Sequence, residues 1–257
     1  MTISNKKEPE RSYKLKPDSK LMEKSSAEKD IGVVIDDKLS FSQHLVEKVN
    51  KANSVLGAMR RSFEYLDLQT FKKLYTALVR PHVEYAHPIW SPYKKKDILM
   101  VENLQKRATK MIPGLSHLNY EERLRKLKLP TLSYRRARGD MIEVYKLLNK
   151  KYYFNEKELL TLNEHCTTRG NSMKLYKSRP RLDIRKYSFS HRVVDMWNSL
   201  PDNVISAGTL ITFESRLDKY WQNQEILYNF EAKITTGQDI NCRELVSEEL
   251  HLLPEIN

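Results

Sequence analysis

Two cysteines and seven glycines are all that 257 residues hold of either type, and each shortage removes a class of architecture. Cys166 and Cys242 are too few for a disulfide framework. So little glycine argues against a strand-rich fold built on tight turns. The longest stretch free of Asp, Glu, Lys and Arg spans residues 203–213, far short of the roughly 20 apolar residues that cross a bilayer. The opening "MTISNKKEPERSYKLK" has no apolar core of signal-peptide type. No phosphate-cradling glycine loop of the G-x-x-x-x-G-K kind occurs anywhere. These absences predict a cytoplasmic or nuclear chain, not secreted and with no membrane partner.

What is present points to helices. Hydrophobic residues make up 40% of the chain and charged ones 30%, enough to build a core and rich in helix formers. The net charge of +12 is segregated. Residues 94–151 carry 16 basic and 6 acidic side chains, a net of +10, and residues 166–192 carry 8 and 1, a net of +7. Residues 223–257, with 2 basic and 7 acidic, bring in −5. A basic middle and an acidic end favour a polyanionic partner over general solubility.

Residues 1–30 are polar and without apolar period, so they read as disordered or as the edge of something larger. "IGVVID" at residues 31–36 is the best strand in the chain. Ser40 opens a helix whose stripe is Leu45, Val49, Ala52, Leu56, Met59 and Phe63. Asp67 caps a second helix, with Leu68, Phe71, Leu74 and Leu78. A third presents Ile98, Val101, Leu104, Ala108 and Met111 and ends at Pro113-Gly114. Asn119 and Glu122 have capping-box spacing, and Thr131 starts a longer helix with Tyr134, Ala137, Met141, Tyr145 and Leu148 inward. This mainly α, bundle-forming region is expected over residues 31–150, followed by a linker at 151–172. Residues 173–222 are expected as a second unit, a basic β-ribbon around Pro180 leading into helices with Val194, Trp197 and Leu200, then Phe213, Leu217 and Trp221 capped by Thr212. Residues 223–257 read as a loose acidic tail.

Two stretches invite catalytic readings. In "VRPHVEYAHPIWSPY", His82-Val83-Glu84 matches the H-x-E core of zinc nucleobase deaminases, but the P-C-x-x-C that completes such a site is absent. His82 and His87 lie five positions apart rather than the four that put two imidazoles on one helical face. The stretch therefore reads as a proline-kinked scaffold whose Tyr85, Ile89, Trp90 and Tyr93 pack inward. Asp36-Asp37 after an apolar strand has the look of a Mg²⁺-binding pair. The 35 residues before it do not read as a nucleotide-binding palm, so a strand-ending turn capped by Asp37 or Ser40 is the simpler reading. No catalytic residue, metal site or cofactor is predicted.

Three basic clusters remain: Lys94, Lys95, Lys96, Lys106, Arg107 and Lys110 along one helix; Arg135, Arg136 and Arg138; and Arg179, Arg181, Arg185 and Lys186. Interleaved with Tyr134, Tyr176 and Tyr187, they predict phosphate-backbone binding without base-specific readout.

The runs "AEKDIGVVIDDKLSFSQHL", "KANSVLGAMRRSF", "LYTALVRPHVEYAHPIWSPYKKKDILMVENLQKRATKMIPGL", "YEERLRKLKLPTLSYRRARGDMIEVYKLLN" and "RLDIRKYSFSHRVVDMWNSLP" resemble, in order, the C-terminal third of reverse transcriptases from LINE-type (non-LTR) retrotransposons of the jockey-like and chicken-repeat kind. The resemblance implies a helical thumb and C-terminal region of an RNA-directed DNA polymerase, sequence-tolerant towards RNA or RNA–DNA hybrid. It implies that "IGVVID" follows a palm whose Tyr-x-Asp-Asp loop is not in this sequence. Mg²⁺ would belong to that palm, and the chain would be a truncated transposable-element product lacking palm, fingers and endonuclease, with no polymerase site of its own. The rival reading is a domesticated or inert helical module that binds protein.

Overall fold

The computed structural model describes residues 24–152, 159–163 and 171–236. The chain is mainly helical, with a two-stranded antiparallel sheet near its N-terminus. It divides into two compact units, Met1–Arg136 and Ala137–Asn257. The division falls inside a helix, not in the 151–172 stretch expected as linker. Both cysteines, most of the acidic tail and residues 1–23 lie outside the described residues.

In the first unit, β1 (Ala27–Asp30) pairs antiparallel with β2 (Val33–Asp36), Ala27 opposite Asp36 and Asp30 opposite Val33. The predicted strand over 31–36 is therefore the returning half of a hairpin. Ile31 and Gly32 form its turn, both at positive φ, as a two-residue type I′ connection requires. A Cβ on Gly32 would meet the Tyr85 ring at 3.4 Å, and the Tyr85 hydroxyl donates to the Ile31 carbonyl at 2.9 Å. Tyr85, against the hairpin, and Ile89 are thus exposed rather than packed inward, and of the four side chains expected to pack inward only Trp90 is buried.

Asp36 ends β2 and organises the descent into α1 (Ser42–Ser62). Its carboxylate accepts from the amides of Lys38, Ser40 and Phe41 and from the Ser40 hydroxyl. Burial alone would raise this carboxyl, but the hydrogen bonds outweigh it and hold it below its usual value. Phe41 stands at the N-cap of α1 with no side-chain cap, so Asp36 holds the turn that leads into the helix, Ser40 Oγ accepts from the Ser42 amide at 3.4 Å, and α1 starts two positions after Ser40. Leu45, Val49, Ala52, Leu56 and Met59 are buried as the period predicts, whereas Phe63 lies past the helix end and is exposed.

His44, on the same face, is fully buried and its Nδ1 accepts from the Val34 amide at 3.2 Å. Burial, followed by the nearby Lys48 charge, lowers its pKa to about 4. The unfolded chain takes up the His44 proton near the ordinary histidine value of 6.5, before the folded chain does. Stability should accordingly fall as pH drops from about 6.5 to about 4. Thermal unfolding at pH 7 and pH 5 measures the effect. In His44→Gln, which keeps an acceptor for Val34, the slope should flatten, with a remainder from His82, also lowered by burial.

Asp67 caps α2 (Leu68–Leu74) through the amides of Gln69 and Thr70. The chain continues into a π turn, Tyr75–Val79, and a 3₁₀ turn, Arg80–Val83. Its buried stripe is Phe71, Tyr75, Val79 and Val83, so Leu68 and Leu78 are exposed instead of facing inward. After α3 (His87–Trp90), α4 (Lys95–Thr109) buries Val101, Leu104 and Ala108 and, beside them, Glu102, Gln105 and Thr109. A capping box of Asn119 and Glu122 starts α5 (Tyr120–Leu127). Thr131 Oγ1 accepts from the Tyr134 amide at the start of α6 (Leu132–Leu148).

The second unit begins within α6 and adds α7 (Asp183–Lys186), α8 (Phe189–Asn198), α9 (Asp202–Ile205) and α10 (Leu210–Tyr220). Its core holds Met141, Tyr145, Val194, Trp197, Leu200, Phe213, Leu217 and Trp221. The cap of α10 is Thr209, whose side chain accepts from Thr212, rather than Thr212 itself. The basic ribbon expected over 173–186 is absent. Leu175 makes an isolated bridge to Leu162, and Asp183–Lys186 closes a helical turn. A ribbon's alternation reflects one buried face, but Tyr176, Leu182, Ile184 and Tyr187 are all exposed, and Pro180 has no amide to give a ladder.

Candidate nucleic-acid interface

The three basic clusters meet different fates. Lys94, Lys95 and Lys96 sit at the N-terminal end of α4, while Lys106, Arg107 and Lys110 sit at its C-terminal end. Ten residues at about 1.5 Å each put some 15 Å between the two groups, so they are two patches on one helix. The C-terminal patch has the better electrostatics, because the helix's negative pole favours cations in its last turn. Arg107 and Lys110 are exposed. Arg107 donates to the neutral Asn53 side chain at 2.8 Å, which leaves its charge uncompensated by that bond.

Arg135, Arg136 and Arg138 are engaged within the protein. Arg135 holds Glu84 with two bonds, and Glu84 also faces Arg80 at 3.4 Å. Arg136 is 6% exposed and lies near Glu102. Arg138, in the second unit, grips Asp218 at 2.6 and 2.9 Å and Glu214 at 3.3 Å. These bonds to Asp218 hold its guanidinium above the usual arginine value. The cluster supplies fold contacts, and its cations are matched by carboxylates. Arg179, Arg181, Arg185 and Lys186 are exposed in the second unit, with the Lys186 ammonium 5.4 Å from the Tyr187 ring centre.

Around the C-terminal patch of α4 the first unit has two open grooves. One, of about 760 Å³, runs past Asn103, Lys106, Ser116, His117 and Tyr120. The other, of about 520 Å³, is lined by Met59, Arg60, Phe63, Leu66, Met111 and Pro113. Arg107 and Lys110 border both, so they stand as a ridge between them. Arg60, Phe63, Ser116 and His117 are lining residues that the charge clusters miss. The run "MRRSFEYL", two arginines followed by two aromatics, is the signal that points to the first pair.

Beneath the ridge the site is stiff. Tyr120 turns its hydroxyl inward to Glu102 at 2.6 Å and accepts from Gln105, which is itself bonded to the Tyr75 hydroxyl. Lys106 and Arg123 lie 5.4 and 5.7 Å from the Tyr120 ring centre, within cation–π range. Arg123 is buried and ties Thr109 to the Leu118 carbonyl. Burial raises the Glu102 carboxyl against the lowering effect of Tyr120 and Arg136.

Catalytic geometry has less support. Ser178 Oγ is 2.8 Å from His191 Nε2, but His191 Nδ1 faces the hydroxyls of Ser188 and Ser190 where a triad places a carboxylate. Among the described residues no group of three or more His, Cys, Asp or Glu comes together to hold a metal ion, and no helix is long and apolar enough to cross a membrane.

No family model and no solved structure matches the chain. It is similar to the uncharacterized protein B0403.1 of Caenorhabditis elegans, 23% identical over 128 residues that make up 49% of this chain. The chain spans 65% of the length of that curated relative.

Proposed function

We propose that the chain is the thumb and C-terminal region of a LINE-type, non-LTR retrotransposon reverse transcriptase, and that it grips RNA or an RNA–DNA hybrid through the phosphate backbone. The observation that carries this reading is the exposed cationic ridge of α4, bordered on both sides by open grooves. The ordered resemblance and the segregated charge support it independently. RNA-directed DNA polymerisation and its Mg²⁺ chemistry would be the work of a palm. The part read here is binding and positioning.

The test is fluorescence anisotropy of the whole chain with a labelled RNA and an RNA–DNA hybrid over a range of salt. Each phosphate neutralised contributes about −0.9 to the log–log salt slope on a duplex and about −0.7 on a single strand. Lys106→Glu/Arg107→Glu/Lys110→Glu should lower affinity by more than about tenfold for every sequence and flatten the slope by about 2 to 3. Unchanged affinity in that variant would remove the ridge from the reading. Exposed Ile31 and Tyr85 at the hairpin turn favour the second reading, a protein-binding module. A chain that ignores polynucleotides but captures a protein through these side chains would replace the first.

A further inference from the structure

The two grooves beside the ridge differ in chemistry, and the difference bears on which form of nucleic acid fits. One wall carries the hydrogen-bonding side chains of Asn103, Ser116 and His117. The other is mixed: Arg60, Glu64, Arg107 and Lys110 share it with Met111, Pro113 and the half-exposed Phe63. Phe63 follows the last turn of α1 with extended backbone, φ −129° and ψ 118°, and is 41% exposed. Arg60, Arg107 and Lys110 border this groove against a single carboxylate, Glu64.

A strand whose phosphates rest on Arg107 and Lys110 therefore has a half-exposed aromatic ring, Phe63, in the groove beside them. A duplex has no base face to lay on that ring, because its bases are stacked on one another and only sugar, phosphate and base edges face outward. An unpaired strand does: a planar base, which stacks on an aromatic ring beside a basic track whatever its sequence. A neutral apolar ligand would leave the three cations unused.

We infer that this ridge binds unpaired RNA, with phosphates on Arg107 and Lys110 and a base stacked on Phe63 in the groove beside them. The inference rests on the nucleic-acid reading above and narrows it, at this ridge, from RNA or an RNA–DNA hybrid to an unpaired strand.

The experiment compares a labelled 12-nucleotide oligouridine with the same strand annealed to oligoadenosine, bound by the whole chain at several salt concentrations. The single strand should bind about tenfold or more tightly than the duplex. Phe63→Ala should weaken single-strand binding by roughly 5- to 150-fold, the range for loss of one stacked base. It should leave duplex binding and the salt slope unchanged, since no phosphate contact is lost. Phe63→Trp should retain binding, and because the residue is outside the helix and half exposed, both variants should keep the parent's helical circular dichroism. Equal affinity for strand and duplex, an equal loss on both in Phe63→Ala, or displacement of oligouridine by polyglutamate at matched charge would overturn the stacked site while leaving phosphate binding standing. Binding of neither form would overturn the nucleic-acid reading and this inference together.

Discussion

Asp140→Ala should destabilise the second unit by about 3–5 kcal/mol, the usual cost of removing one partner of a buried ion pair. Asp140 lies on α6 and is 2% exposed. Both of its oxygens accept from Arg192 on α8, at 2.9 Å each. That guanidinium also donates to the Tyr187 carbonyl and lies over the Phe189 ring. Without the carboxylate a guanidinium that is largely shielded from water loses its counterion. Urea unfolding followed by helical circular dichroism measures the loss. Asp140→Asn, which keeps an acceptor, should fall between Asp140→Ala and the parent. The double replacement Asp140→Leu/Arg192→Met should be less damaging than either single truncation, because it leaves no charge behind. A loss below about 1 kcal/mol in Asp140→Ala would show that the pair behaves as a solvated surface bridge.

Trp197→Ala should cost a comparable amount, about 3–5 kcal/mol, through a different mechanism. The indole is fully buried, with its centre 6.0 Å from Phe213, which in turn stacks on Tyr145 at 4.4 Å. Its Nε1 donates to the Met173 carbonyl at 2.8 Å. Truncation opens a cavity and leaves that carbonyl without its donor. Trp197→Phe separates the two terms: it fills most of the space and loses only the hydrogen bond, so roughly 1–3 kcal/mol should go. Equal losses in the two variants would mean the hydrogen bond alone accounts for the effect.

Elements whose cause is local were legible in the sequence. The Asp67 cap, the Asn119–Glu122 box and the inward stripes of α1 and α8 each depend on residues within a turn or two of one another. What was hidden depends on distant partners. The first strand of the hairpin is almost wholly exposed and has no apolar pattern to show. Glu102, Gln105 and Arg136 are polar residues at core positions, which hydrophobic period reads as surface. The carboxylates that engage Arg135 and Arg138 are 51 and 80 positions away in the chain, so density of charge alone could not tell a paired arginine from an available one. The candidate site was half visible: its cations stood out as a cluster, but period places Phe63 on the buried stripe of α1, and the chain leaves the helix just before that residue.

The π turn at Tyr75–Val79 explains one further mismatch between pattern and burial. The Arg80 amide bonds to the Tyr75 carbonyl, five residues back. An α-helix advances 100° per residue, so side chains four apart drift about 40° per step and would carry Phe71, Tyr75, Val79 and Val83 around the axis. The wider π turn cancels much of that drift between Tyr75 and Val79, the 3₁₀ turn then carries the chain on to Val83, and all four stay buried. In alignment terms such a turn is a one-residue insertion absorbed within a helix. A related chain with an unbroken α-helix here would match Phe71 and Val83 only across a single-residue gap, so a one-position indel between these two anchors is compatible with the same core.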